Sequence, residues 1–100
     1  MRFGLEEHIV QKIISAISKH KAVKRAVIFG SRARGDYRYD SDIDIAIYTD
    51  SRACPGLIDD IDRAAGIYKV DVVDVNSLDN DDFKKSIERD GIEIYRRADV

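Results

Sequence analysis

Hydrophobic positions along the chain follow two different periods. Leu5, Ile9, Ile13 and Ile17 recur every four residues, with Val10 and Ile14 beside them. His8, Gln11, Lys12, Ser15 and Lys19 fill the other side. This spacing keeps apolar groups on one stripe, so it predicts an amphipathic helix ending near His20. Ala26-Val27-Ile28-Phe29 is a continuous apolar run closed by Gly30, the pattern of a buried strand. From Asp42 to Tyr48 the period changes to two. Ile43, Ile45 and Ile47 face one way; Asp42, Asp44, Ala46 and Tyr48 face the other, which predicts a strand with one buried face.

The second half repeats the alternation of element types. Thr49 to Gly56 is a polar loop that holds Pro55, the only proline. Leu57, Ile58, Ile61, Ala64 and Ala65 mark a second amphipathic helix, and valine-rich Val70 to Val75 a third strand. Leu78 to Asp90 reads as a third long helix, with Asp79 as N-cap, Leu78 and Phe83 as a hydrophobic staple, and Gly91 as the C′ residue. The acidic run Asp79 to Asp82 suits the positive end of that helix dipole. Ile92 to Tyr95 adds a short edge strand before a charged tail.

Connection lengths give the topology. About twelve residues join the first two strands, too few for a crossover helix, so these strands are expected to be antiparallel. The second and third are joined through a helix and are expected to be parallel, with a right-handed crossover. The expected fold is α+β: a small mixed sheet with helices packed mainly on one face.

Composition narrows the classes. The chain has 100 residues, which predicts one domain spanning 1–100. With 44% hydrophobic and 36% charged residues it suits a globular protein rather than a disordered one. No apolar run approaches the roughly 20 residues of a membrane span. Met1 to Glu7 lacks the apolar core of a signal peptide, so a cytoplasmic location is expected. A net charge of −2 argues against a general nucleic-acid binder. Lys24 to Arg38, however, holds five basic residues and one acid, a local field suited to a small polyanion. Cys54 is the only cysteine, which excludes an internal disulfide, and His8 and His20 lack ligand-like spacing.

The chemistry gathers between Ile28 and Ile45. Antiparallel pairing brings Gly30-Ser31, at the end of the first strand, beside Asp42, at the start of the second. Asp42 and Asp44 share a face at about 7 Å along the strand. Two carboxylates that close repel, and a cation between them removes the cost. Magnesium fits, because it takes carboxylate oxygens together with substrate phosphates. Two such ions about 3.5–4 Å apart clamp the attacking and leaving oxygens of an in-line phosphoryl displacement. Gly30 admits backbone N–H groups close to phosphate oxygens, and Ser31 adds a hydroxyl. Arg32 and Arg34 are candidates to meet the departing pyrophosphate. Asp36 and Asp40 are expected to support the turn, with Ser41 or Asp40 bonding locally, and Tyr37 and Tyr39 to pack in the loop. The third strand offers a third carboxylate, Asp71 or Asp74. The two lie on opposite faces, and Asp71, nearer the strand start, is the better placed to bind metal and accept the acceptor's proton. Cys54 starts more than about 15 Å beyond Asp44 and is set aside.

Gly30-Ser31, ten residues, Asp42-Ile43-Asp44, then a Val-Asp-Val strand resembles the minimal nucleotidyltransferase (MNT) family of the DNA polymerase β superfamily. The likeness runs from the first helix to Gly91. It implies the polymerase β-like fold, ATP as donor, Mg²⁺ as cofactor and AMP transfer. It assigns Gly30 and Ser31 to the triphosphate, Asp42 and Asp44 to both metals, and Asp71 to the third carboxylate. It also implies a partner, because such proteins resemble antitoxins encoded beside HEPN-domain toxins, which they AMPylate at a tyrosine. A hetero-oligomer is the expected assembly, with that toxin or a helical substrate-binding protein encoded nearby. Two alternatives stand beside this reading. One is a non-catalytic antitoxin that neutralises its partner by complex formation. The other is a small-molecule nucleotidyltransferase whose acceptor site comes from a second subunit.

Overall fold

The structure, a computed structural model, describes residues 1–50 and 54–98. Helix α1 (Glu7–Ser18) leads into strand β1 (Val23–Phe29), a five-residue helix α2 (Gly30–Arg34) and strand β2 (Ile43–Thr49). Helix α3 (Leu57–Ala65), strand β3 (Val70–Asp74), a 3-10 turn (Val75–Ser77), helix α4 (Asp81–Asp90) and strand β4 (Ile92–Arg96) follow. The polar loop expected at Thr49 to Gly56 lies partly outside the described residues, as does the end of the charged tail.

The four strands form one sheet in the order β3-β2-β1-β4. β1 pairs antiparallel with β2 and with β4, while β2 and β3 run parallel, so the mixed sheet and both strand directions agree with the connection lengths. β4 takes the edge beside β1. The period-four stripe of α1 and the apolar side of α3 cover one sheet face. Val10, Ile13 and Ile17 pack there with Leu57, Ile61 and Ala65 against Ala26, Ile28, Ile43, Ile45 and Ile47. Each large aliphatic side chain buried this way contributes about 1.5–3 kcal/mol.

Helix α4 lies on the other face. Ile87 meets Val27 and Ala46, and Phe83 stacks edge-on to Phe29 with ring centroids 5.8 Å apart. The middle of β2 is therefore buried on both sides, with Ala46 fully covered. The alternation Ile-Asp-Ile-Ala-Ile predicted one buried face; alanine is small enough to sit beneath α4 and too weakly apolar to announce it.

Three local expectations change. The N-cap of α4 is Asn80, not Asp79: its side-chain oxygen accepts the Phe83 N–H at 3.0 Å. Leu78 and Phe83 both pack beneath α4 but do not hold the N′ and N4 positions of a staple once the cap moves. Gly91 follows α4 with extended rather than left-handed backbone, φ −70° and ψ 144°. It is small for a steric reason, since a Cβ there would collide with the Ile87 carbonyl and a Val27 methyl. Among the described residues no helix is long and apolar enough to cross a membrane.

Candidate active site

The strand register places the carboxylates. Asp44 lies opposite Phe29 on β1 and in register with Asp71 on β3. Registered neighbours in a sheet project from the same face, so Asp44 and Asp71 stand side by side. Asp42, two residues earlier, shares that face at the mouth of β2. Asp74 is three residues beyond Asp71 and turns to the opposite face. Its carboxylate accepts the Asn76 N–H at 3.1 Å and the Ser77 hydroxyl at 3.0 Å, capping the 3-10 turn. Of the two aspartates on β3, Asp71 is the one beside Asp44.

Gly30 closes the group from the side of β1. Its φ of +73° is a left-handed value, and a Cβ on it would strike the Asp44 carboxylate. Glycine is thus needed twice at this position, for the backbone turn and for the approach of the acid. Ser31 follows within α2, whose end is sealed by the Gly35 N–H donating to the Ser31 carbonyl at 2.9 Å. This short helix escaped sequence reading because the four residues between Gly30 and Gly35 carry no period.

Burial, then the charges of Asp71 and Asp42, push the Asp44 carboxyl above its ordinary value near 3.8, against the pull of Arg34. Lys69, at the entrance to β3, approaches Asp42 at 3.8 Å and is largely exposed. Nothing in the spacing of Lys69 signalled this contact, which exists only because β3 pairs with β2. Among the described residues no three His, Cys, Asp or Glu side chains stand close enough together to hold a metal ion by themselves. The donors at hand are carboxylate oxygens, the hard ligands a magnesium ion takes, and such an ion completes its shell from phosphate and water.

The two arginines part company. Arg34 is exposed, lies near enough to pull on the Asp44 charge, and pairs with Asp36 at 3.3 Å. Arg32 is 2% exposed and donates to the carbonyls of Phe3, Tyr39 and Ser41. A guanidinium so enclosed does not reach a phosphate, which corrects the expectation of charge supply from Arg32. Ser41 supports the turn as expected, its hydroxyl accepting the Arg38 N–H at 2.8 Å. Tyr37 packs against Arg32, whereas Tyr39 is 89% exposed, against the expectation of loop packing. Cys54 lines a cavity of about 270 Å³ with Ile47, Val72 and Asp74, at the far ends of β2 and β3. His20 pairs with Asp60 at 2.7 Å, between the helices of the other face.

A mixed four-stranded sheet with acids at the adjoining starts of two parallel strands defines the polymerase β-like class of nucleotidyltransferase folds. The family model described as polymerase beta, nucleotidyltransferase, matches residues 11–100. The chain belongs to that family and is a nucleotidyltransferase. It is 35% identical over 94 residues to "Putative protein adenylyltransferase MJ1379" of Methanocaldococcus jannaschii, covering 81% of this chain and 93% of that protein. A shorter match, 45% identical over 47 residues, is to "Putative protein adenylyltransferase MJ0604" of the same organism, 45% of this chain and 47% of that one. Among solved structures, a toxin-antitoxin with AMP-PNP superposes with a TM-score of 0.73 at 22% identity, over 90% of this chain and 75% of that one. An MNT antitoxin in complex with a tri-AMPylated HEPN toxin of Shewanella oneidensis superposes with a TM-score of 0.65 at 19% identity, over 91% and 72%. At those identities the likeness is one of fold.

Proposed function

We propose that this nucleotidyltransferase moves AMP from ATP, with Mg²⁺, onto a hydroxyl of a partner protein, a tyrosine of a HEPN toxin encoded beside it, and so acts as a cytoplasmic antitoxin within a hetero-oligomer. The observation that carries the reading is the registered pair Asp44 and Asp71, with Asp42 two residues away and Gly30 pressed against Asp44. Among the described residues, three acids crowd one open face with only the exposed Lys69 and Arg34 nearby to offset them, and a nucleotide triphosphate brings its cation with it. The relatives named as adenylyltransferases, and the neighbour crystallised with AMP-PNP, support the choice of nucleotide. The tri-AMPylated toxin held by a protein of this fold supports the choice of acceptor.

The residues divide the work. Gly30 and Ser31 receive the triphosphate through backbone N–H groups and a hydroxyl, and Arg34 faces the leaving end. Asp42 and Asp44 would hold the cations, with Asp71 as the third carboxylate. When bound, Mg²⁺ supplies neutralisation of the triphosphate and activation of the attacking oxygen. The acceptor oxygen forms a bond to the α-phosphorus while the bond from that phosphorus to the α–β bridging oxygen breaks. Pyrophosphate leaves with the electron pair, and Asp71 takes the acceptor proton.

The test is transfer of label from α-labelled ATP to the HEPN protein encoded beside this one. Label should move with Mg²⁺, stop with a chelator, and stop in the double variant Asp42→Asn/Asp44→Asn. Undiminished transfer by that variant would sink the reading. Protection of cells by the same variant would favour neutralisation by complex formation instead.

A further inference from the structure

Arg32 is the only charged side chain among the described residues counted as buried, and its surroundings are specific. Its Nε and Nη2 both donate to the Ser41 carbonyl, at 3.1 and 2.8 Å. Nη1 donates to the Phe3 carbonyl at 2.8 Å, and Nη2 also reaches the Tyr39 carbonyl at 3.3 Å. The rings of Tyr37 and Tyr68 each lie 5.4 Å from its central carbon. The N-terminal turn is moulded around this group: Phe3 and Gly4 both have positive φ, and a Cβ on Gly4 would run into the Tyr37 ring.

Apart from Phe3, each partner belongs to a segment that leads into a site residue. Ser41 precedes Asp42. Tyr68 sits three residues before Asp71, on the turn entering β3. Arg32 itself follows Ser31. The main chain adds a second tie, from the Ile43 N–H to the Lys69 carbonyl at 2.8 Å. A buried guanidinium is tolerated only when its donors are engaged, and its planar fork fixes the directions of its acceptors. The arrangement is therefore rigid in a way a chain of loop contacts is not.

We infer that Arg32 is a positioning residue: it locks the 35–42 loop, the N-terminal turn and the entrance to β3 into one unit, and so sets Asp42 and Asp71 against Gly30-Ser31. It acts through its neighbours and touches no substrate. The inference rests on the carboxylates being the metal and nucleotide site.

The experiment compares Arg32→Lys, Tyr68→Leu and Ile13→Val. Lysine keeps the charge and loses the fork. Leucine removes one ring and leaves the hydrogen bonds. Ile13→Val weakens the core without touching Arg32. Two quantities are read: the Mg²⁺ concentration for half-maximal AMP transfer, and amide hydrogen exchange of residues 2–5, 37–41 and 68–71 without metal. In Arg32→Lys all three segments should exchange faster together. Its Mg²⁺ requirement should rise about 10- to 100-fold. Tyr68→Leu should move both quantities the same way by less, and decides alone if Arg32→Lys does not fold. Ile13→Val should lower Tm and leave both quantities at wild type. The inference is overturned if the Arg32 and Tyr68 variants behave like Ile13→Val. If the wild-type protein transfers no AMP, the site reading fails instead, and exchange still decides the role of Arg32.

Discussion

The two faces of the sheet come from the same strands and bury different things. On the side of α1 and α3, isoleucine and valine run the length of β1 and β2, and the cluster is apolar from end to end. On the side of α4, apolar cover reaches only part of the way: Val27, Ala46 and Ile87 form a small cluster, and the start of β2 and β3 is left to Asp44 and Asp71. The first face tolerates no charge because it is closed. The second is stabilised at one end and free to carry repelling acids at the other. Stability and chemistry are thus separated by strand parity, with a shift of one residue exchanging them.

The comparison breaks most visibly on the closed face. Ile45→Ala removes a fully buried side chain and should cost about 2–5 kcal/mol, read as a lowered urea midpoint. Next in size is Asp44→Asn, which should reduce AMP transfer about 10²–10³-fold without lowering stability. Its stability should rise at neutral pH, because a mutually repelling charge is gone. The sign follows from the raised Asp44 carboxyl. Folding favours its neutral form, so that contribution is present below the ordinary range near 3.8 and lost as pH rises through the raised value. Thermal melts of wild type and variant should therefore converge as pH falls through that value. A variant less stable than wild type at neutral pH would contradict the division between the faces. Smallest is Asn80→Ala, which loses the cap of α4 and should cost about 1 kcal/mol, with transfer little changed, since the Asn80 side chain bonds only within the first turn of its own helix.

What could be read in advance follows from the range of the forces involved. The long elements were legible because periodicity is local, and the pairing of Gly30 with the acids because a short connection leaves little choice of direction. Parity put Asp71 and Asp74 on opposite faces and nearness to the strand start favoured Asp71, but only the register with β2 sets Asp71 beside Asp44. Arg32 was not legible. A charged residue in a polar loop reads as solvated, and its burial depends on a carbonyl at Phe3 and a ring at Tyr68, each about thirty residues or more away in sequence. The cap of α4 was missed by one residue because Asp79 and Asn80 are both good caps, and the fold decides which side chain faces the first turn. Gly91 was read as a backbone need and proved to be a spatial one.

The direction of the strands has a last consequence. β2 and β3 both begin at the acids and both end away from them, so the connection from Thr49 to Leu57 leaves the sheet at the pole opposite the chemistry. Length added at that pole would start away from the acids. That pole is where a lineage could graft a further module, or an engineer a tag, and keep the same catalytic scaffold beneath it.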